Sequence, residues 1–209
     1  MPRRGFIIAL VALATAFSAH RPLAAQSAHA TVRVLVETSL GDIVLELDPA
    51  HAPITTANFL KYVDAGQYDG GTFHRTVTMD NQPESPVKIE VIQAGVNADK
   101  AKAGFPAIPL ERTSTTRLRH VDGAVSMARG GPDSATSGWF ICINDQPTLD
   151  FGGARNPDGQ GFAAFGRVVA GMDVVRRIQR APSSPDRSSN SAAQRLTPPI
   201  VIIRAARLP

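Results

Sequence analysis

Side chains able to support covalent or metal chemistry are few in this sequence. The 209 residues include one cysteine and five histidines. No H-E-x-x-H motif, cysteine cluster, Asp-rich calcium loop or G-x-S-x-G nucleophile motif occurs, so neither a metal site nor a serine nucleophile is indicated. Cys142 lies in the apolar run 139–143, which is typical of a buried, inert thiol. The sequence therefore predicts no metal and no cofactor.

The glycine-rich stretch 152–159 invites comparison with a phosphate-binding loop. It lacks the Gly-Lys-Ser/Thr ending of such a loop, and no helical pattern follows it directly. Its last four residues, Asn-Pro-Asp-Gly at 156–159, are instead a strong turn signal. We interpret the stretch as a turn.

Two segments carry a more specific signal. The first is FHR at residues 73–75, and the second is SMARGGPDSATSGWFI at residues 126–141. TANF at 56–59 and FGRVV at 165–169, followed by GMD at 171–173, occur in the same order along the chain. Together these motifs resemble the cyclophilin family of peptidyl-prolyl cis/trans isomerases, from about Val32 to the end of the chain.

The resemblance implies a mainly β fold, a closed eight-stranded antiparallel β-barrel capped by two α-helices, with a substrate groove on its outer surface. It places the family's catalytic arginine at Arg75, with Phe73 and His74 as structural neighbours. The implied binding residues for proline-containing polypeptides are Val91, Gln93, Ala128, Arg129, Gly130, Phe140, Leu149 and Phe162. Of these, Phe140 forms the floor of the proline pocket, and residues 128–130 offer backbone groups to the peptide.

This chemistry needs no nucleophile, because rotation about an X-Pro bond breaks no covalent bond. The barrier of about 18–20 kcal/mol comes from lost amide resonance, so catalysis consists of binding the twisted state better than either planar isomer. The twisted proline nitrogen regains a lone pair, to which a fixed guanidinium such as that of Arg75 can donate a hydrogen bond.

Plainer roles compete with these assignments. In one alternative, Arg75 is an ordinary surface arginine. In another, Gln93 is a solvent-facing strand residue. His74 is interpreted as hydrogen-bonded in the barrel rather than as a base, because the reaction moves no proton. Strand side chains alternate, so either Trp139 or Phe140 lines the barrel interior; the family pattern assigns that position to Trp139.

Several positions depart from the family pattern. The loop 78–88 is longer than usual, and the expected phenylalanine falls on Glu90 or, with a one-residue shift, on Ile89. A second glutamine of the site is replaced by Gly138, and a tryptophan common in the family by Thr148. We therefore expect weaker activity or an altered preference for the residue before proline, and low affinity for cyclosporin.

The pattern of apolar residues predicts the elements that position the site. A hairpin over 32–47 precedes a helix that starts at Pro53 and ends before Gly66. Its apolar stripe consists of Ile54, Ala57, Leu60 and Val63, and Phe59 widens it. Further strands are predicted at 72–77, 89–94, 124–128, 139–143, 162–169 and 200–203, and a second helix at 173–179. Residues 183–193 are predicted to be a polar loop.

The first 30 residues have the pattern of a secretory signal. Two arginines precede the apolar stretch 6–19, and small residues suitable for cleavage follow between 19 and 30. An uncleaved membrane anchor is the alternative. We expect residues 31–209 to form the domain of a periplasmic or secreted protein. Removing the signal leaves 19 basic and 18 acidic residues, which argues against nucleic-acid binding. We expect no stable membrane insertion once the signal is cleaved. A monomer is the default expectation for the oligomeric state.

Three hypotheses for function remain at this point. The first is an isomerase that accelerates proline-limited folding of exported proteins. The second is a catalytically weak or inactive peptide-binding or chaperone module on the same barrel, suggested by Glu90 and Gly138. The third is a hollow small-ligand barrel of the lipocalin type, which bulky residues such as Trp139 argue against.

Overall fold

The computed structural model describes Met1 and residues 31–209. The predicted signal peptide and its cleavage point lie outside the described residues. Within the described part of the chain, no helix combines the length and apolar character needed to cross a membrane.

Eight strands account for most of the regular structure. They are β1 (Val32–Thr38), β2 (Gly41–Leu47), β3 (Thr72–Val77), β4 (Val91–Gly95), β5 (Ala124–Met127), β6 (Trp139–Cys142), β7 (Ala163–Ala170) and β8 (Arg195–Arg207). Two longer helices are α1 (Pro53–Asp64) and α3 (Met172–Gln179), and two short ones are α2 (Thr113–Thr116) and α4 (Asn190–Ala193).

The strands close into a barrel in the order β1-β2-β7-β5-β6-β4-β3-β8, and every neighbouring pair is antiparallel. β1 and β2 form the predicted hairpin, with Val32 opposite Leu47 and Thr38 opposite Gly41. The alternation of apolar and polar residues in both strands sends one face into the barrel. The predicted fold class is confirmed.

Aromatic side chains fill the barrel interior. The fully buried Trp139 meets Phe73 at 5.4 Å between ring centroids, Phe59 of α1 at 5.5 Å and Tyr68 at 6.2 Å, all in edge-to-face geometry. Trp139 therefore occupies the interior position that the family pattern assigns to it. A hollow ligand-binding barrel is excluded, because these rings occupy the space.

The second long helix, α3, begins where Gly171 lies close to the backbone of β2. Val174, Val175 and Ile178 are buried, as the predicted stripe requires. Gly171 precedes the helix with φ at 89°, and a Cβ there would lie 2.3 Å from the carbonyl oxygen of Asp42. Only glycine satisfies both constraints.

The apolar face of α1 differs from the prediction. Phe59, Leu60 and Val63 are buried as predicted, but Ile54 and Ala57 are exposed, and Thr55 is buried on the inner face instead. The reason lies at the helix start, where a carboxylate from a distant loop binds free backbone groups. The N–H groups of Ile54 and Thr55 donate to Glu111 at 3.1 and 2.7 Å, which fixes the orientation of the first turn.

Element boundaries shifted at three predicted segments. The strand predicted from Ile89 begins at Val91, and the closing strand begins at Arg195 rather than Ile200. The predicted polar loop 183–193 contains α4, whose Ala193 is fully buried. This last difference matters because α4 leads directly into the site.

Candidate active site

A β-bulge in β3 sets the direction of Arg75. Phe73 pairs with Ala94 of β4, yet Arg75 pairs with Gln93, so His74 is an extra residue between them. The register also shifts against β8, where Phe73 faces Ile200 and Arg75 faces Arg195, but there the extra residues belong to β8. Phe73 is fully buried inside the barrel, and the bulge lets Arg75 point to the outer groove.

Arg75, Gln93 and Phe140 form a row across three adjacent strands. Arg75 pairs with Gln93, and Gln93 pairs with Phe140 of β6. The Nη1 group of Arg75 donates to Oε1 of Gln93 at 2.7 Å. Neighbouring strands lie about 4.7–4.9 Å apart, so Arg75 and Phe140 are two strand spacings apart, and both line the same cavity.

A residue that the sequence did not single out also holds Arg75. Its Nε and Nη2 groups both donate to Oε1 of Gln194, at 2.8 and 2.5 Å. Gln194 is fully buried and follows α4. Its Nε2 group donates to the carbonyl oxygen of Asn81 at 3.0 Å, so its amide oxygen faces the arginine. Sequence reasoning missed Gln194 because it lies between the predicted polar loop 183–193 and the predicted closing strand 200–203, in a stretch with no assigned element.

The guanidinium of Arg75 is partly desolvated but remains charged. Burial, followed by the nearby charge of Arg155, lowers the pKa of Arg75 to about 10. At neutral pH the group is therefore still a cation. A charged donor with little water around it makes stronger hydrogen bonds than one in bulk solvent.

The groove contains a cavity of about 220 Å³. Phe140 and Phe162 meet edge to face at 5.3 Å and form its aromatic part, and Leu149, fully buried, packs in the same cluster. The lining residues are Arg75, Ile89, Val91, Gln93, Ala128, Arg129, Phe140, Leu149, Arg155, Asn156 and Phe162. An apolar hollow with a fixed cation at its edge suits a proline ring whose amide nitrogen must accept a hydrogen bond.

Comparison with known proteins identifies the family. Residues 33–207 match the model of the cyclophilin-type peptidyl-prolyl cis-trans isomerases. The chain belongs to the cyclophilin family of isomerases. It is 37% identical to a peptidyl-prolyl cis-trans isomerase of Streptomyces antibioticus over 155 residues, which cover 74% of this chain and 87% of the relative.

Two further comparisons agree with this membership. Isomerase A of Dickeya dadantii is 36% identical over 176 residues, covering 83% of this chain and 84% of the relative. A crystal structure of a Cryptosporidium parvum cyclophilin superposes with a TM-score of 0.67 at 21% identity, covering 86% of this chain and 99% of that one. This second likeness supports the barrel fold.

Of the predicted binding residues of this cyclophilin, seven line the cavity and one does not. Val91, Gln93, Ala128, Arg129, Phe140, Leu149 and Phe162 all contribute to its wall. Gly130 is exposed, and its N–H already donates to Oγ of Ser134 at 3.0 Å. The peptide-facing backbone therefore stops at Arg129, because the turn that follows uses the glycine's donor internally.

His74 is the extra residue of the bulge, and it is hydrogen-bonded to the backbone of the barrel strand at Thr72, as the prediction of a structural residue requires. It lies on the outer surface, with its ring edge near Gly95. Desolvation of the ring, with a smaller contribution from the charge of Arg75, lowers the pKa of His74 despite a hydrogen bond to the backbone of Thr72. The ring is thus neutral at physiological pH.

The choice between Glu90 and Ile89 as the wall residue just before β4 is settled in favour of Ile89. Ile89, Val91 and Gln93 lie two residues apart and share the cavity face. Glu90 points elsewhere, where it accepts hydrogen bonds from Asn144 at 2.8 Å and Gln179 at 3.1 Å. The apolar wall is therefore preserved by the one-residue shift.

A buried polar chain supports the pocket floor from behind. The ring of His120 stacks on Phe140 at 6.1 Å and lies 2.8 Å from the carboxylate of Asp150 and 2.9 Å from Oγ of Ser126. Burial raises the pKa of Asp150, but hydrogen bonds from His120 and Arg119 outweigh it and leave that pKa lowered. Ser126 is fully buried, so this Ser-His-Asp arrangement cannot act as a nucleophilic triad and serves to fix Phe140.

Arg129 is a neutralised part of the wall. Its guanidinium lies 5.1 Å from the ring centroid of Phe162 and donates to both carboxylate oxygens of Asp158, at 2.8 and 3.0 Å. Hydrogen bonds from Arg129 lower the pKa of Asp158 to about 2. The pair stiffens Phe162 through a cation–π contact without adding net charge to the groove.

The long loop 78–88 is tied to the cavity by Arg155. The side chain of Gln82, almost fully buried, donates to the carbonyl oxygens of Thr78 and Ile89, both at 2.8 Å. Nη1 of Arg155 donates to Oε1 of Gln82 at 3.0 Å and also to the carbonyl of Val87. The longer loop is thus an ordered part of the groove and does not simply project from the surface.

Proposed function

We propose that this cyclophilin accelerates the cis/trans isomerisation of X-Pro bonds in exported polypeptides as they fold. The observation that carries the proposal is the Arg75 guanidinium, bound by Gln93 and Gln194 at the edge of a cavity floored by Phe140. A Cryptosporidium parvum cyclophilin of similar fold was crystallised with the dipeptide Ala-Pro, which supports a proline-containing segment as the ligand.

The proposed mechanism uses the site as it is built. The proline ring occupies the apolar hollow between Phe140, Leu149 and Phe162, which holds the ring while the preceding residue rotates. As resonance is lost, the imide nitrogen becomes an acceptor, and Arg75 donates to it. Both glutamine contacts fix the guanidinium before substrate arrives, so little reorganisation is required during the reaction.

The decisive experiment measures isomerisation of a proline tetrapeptide by a protease-coupled assay. Arg75→Ala is expected to lower kcat/KM by about 10²–10³-fold, since one preorganised donor is worth roughly 2.7–4 kcal/mol in comparable sites. Arg75→Lys should restore little, because an ammonium lacks the guanidinium fork. A wild-type rate no higher than that of Arg75→Ala would leave a peptide-binding module as the function.

Export is the second part of the proposal. It rests on the two arginines and the apolar stretch that open the sequence, and it places a monomeric domain in the periplasm or outside the cell. N-terminal sequencing of the mature protein is expected to find a start between residues 20 and 31. A mature chain that still begins at Met1 would favour the membrane-anchor alternative and remove the export argument.

A further inference from the structure

The groove contains two guanidinium groups that no carboxylate neutralises. The described residues form ten ion pairs, and neither Arg75 nor Arg155 takes part in any of them. Their hydrogen-bond partners are neutral amide or backbone oxygens: Gln93 and Gln194 for Arg75, Gln82 and Val87 for Arg155. The described wall of the cavity includes no Asp or Glu.

The two cations are close enough to affect each other. Repulsion by Arg155 is one of the causes that lower the pKa of Arg75, after desolvation. Arg155 is itself half-buried, and desolvation lowers its pKa as well. The structure thus holds two like charges beside one hollow with no counter-charge of its own, an arrangement that an anion in the groove would relieve.

Arg155 has donors left to meet such an anion. The side-chain hydrogen bonds that it makes within the described structure all use Nη1, whereas a guanidinium carries five N–H groups. The bonds to Gln82 and Val87 anchor the side chain at the cavity wall. A guanidinium held by one nitrogen and open at the others is well suited to a carboxylate.

We propose that Arg155 is a specificity residue, which selects X-Pro segments that carry an acidic side chain on a residue next to the proline. This rests on the proposed isomerase function and names its substrate class. Arg75 is occupied by the reacting imide, while Arg155 binds the carboxylate of the neighbouring residue. The preference depends on this chain's long loop and glycine-rich turn, since these two segments place Arg155 at the cavity.

The test compares neutral-capped peptides that differ only in one side chain, by exchange NMR, which needs no coupled protease. One pair has Glu or Gln before proline, and the other has Glu or Gln after it. In the wild-type protein the Glu:Gln ratio of kcat/KM should exceed one in at least one pair, by about threefold if the contact resembles a measured exposed ion pair. The ratio should shrink toward one in high salt.

The variant Arg155→Gln should bring the ratio to one, and Arg155→Lys should retain part of it. Because both peptides are measured on the same variant, any general loss of activity cancels in the ratio. Arg33→Gln is the matched control: it removes one positive charge from β1, and Glu46 keeps its bond to Arg167. This control should leave the wild-type ratio unchanged.

The outcomes separate this inference from the proposed function. Two results would overturn the role of Arg155 and leave the isomerase function intact. In the first, the wild-type protein accelerates all peptides with a Glu:Gln ratio of one in both pairs. In the second, a ratio above one persists in Arg155→Gln. No acceleration of any peptide by the wild-type protein overturns both.

Discussion

Arg75 and Gln194 are joined by two hydrogen bonds to a single oxygen, although 119 residues separate them in the sequence. The bonds come from Nε and Nη2, which lie on one edge of the guanidinium, and Gln93 binds the remaining nitrogen, Nη1. The arginine is therefore bound on two sides by neutral amides. Each amide accepts without cancelling the charge, so the guanidinium stays both fixed and cationic.

Removing the amide of Gln194 should weaken catalysis more than binding. We expect Gln194→Met, which keeps the length of the side chain, to lower kcat about tenfold, since a hydrogen bond to a charged group is worth roughly 1.5–3 kcal/mol. KM should change little, because Phe140 and Leu149 still hold the ring. The NMR signal of Arg75 Nε–Hε should also shift and broaden in the free variant.

A matched control for this experiment is Gln179→Met. Gln179 is half-buried and donates to Glu90 at 3.1 Å, whereas the side chain of Arg75 is bound by Gln93 and Gln194. Gln179→Met should lose little activity. An unchanged kcat in Gln194→Met, with folding intact by circular dichroism, would contradict the positioning role.

The pH profile of isomerisation should be flat through the range where histidine titrates. Rotation about an imide moves no proton, so no general base is needed. The charge that matters is on Arg75, and it is lost only as the pH rises through its lowered pKa of about 10. We expect kcat/KM to be constant between about pH 6.5 and 9 and to decline near pH 10.

His74 provides the contrasting case. Its pKa is lowered from 6.5. If His74 acted as a base, the isomerisation rate would therefore decrease as the pH is lowered through that pKa. We expect His74→Ala to keep a flat profile. A wild-type rate that drops between pH 5 and 7, and is flattened by His74→Ala, would mean that a proton is moved after all.

Restoring a hydrogen-bonding side chain at position 138 should raise activity. A Cβ added to Gly138 would lie 3.5 Å from the Cβ of Ala128, an ordinary contact, and Ala128 lines the cavity. Gly138→Gln is therefore expected to fold and to increase kcat/KM about threefold, the effect of one net hydrogen bond. Gly138→Ala is the control, since it adds the Cβ without the amide; an equal gain in both variants would assign the effect to backbone stiffening.

Much of this site could be predicted because its residues lie on strands with clear side-chain alternation. The interior place of Trp139 and the outward place of Phe140 follow from that alternation once the family pattern fixes its phase. Gln194, Arg155 and Asn156 could not be found in the same way. They lie in segments with no periodicity. The pairing of β3 with β8 brings Gln194 against Arg75, and the turn-rich segment between β6 and β7 brings Arg155 and Asn156 to the cavity.

The remaining differences have a similar physical origin. The family resemblance places Gly130 in the peptide-facing segment, yet the hydroxyl of Ser134 accepts a hydrogen bond from its N–H. No apolar pattern indicates the bulge at His74, which sets the direction of Arg75. Hydrogen bonds within turns and single-residue bulges are local choices that apolar patterns do not encode.

Trp139 gives a prediction for stability rather than activity. Its indole ring is fully buried, but its Nε1–H finds no hydrogen-bond partner among the described residues. A buried donor without a partner costs about 1–3 kcal/mol, so replacing the ring with phenylalanine removes that cost while losing some packing. We expect Trp139→Phe to reduce the free energy of unfolding by less than about 1.5 kcal/mol, against about 3–5 kcal/mol for Trp139→Ala.

The free energy of unfolding of both variants is measured by urea denaturation. Circular dichroism is used as the probe because both substitutions remove the single tryptophan and its fluorescence. The midpoint should shift with little change in m for Trp139→Phe. Equal losses in the two variants would mean that the indole N–H is bonded, for example to a buried water between Phe59 and Phe73. In that case the barrel core contains a polar element, and its packing is less purely aromatic than these contacts indicate.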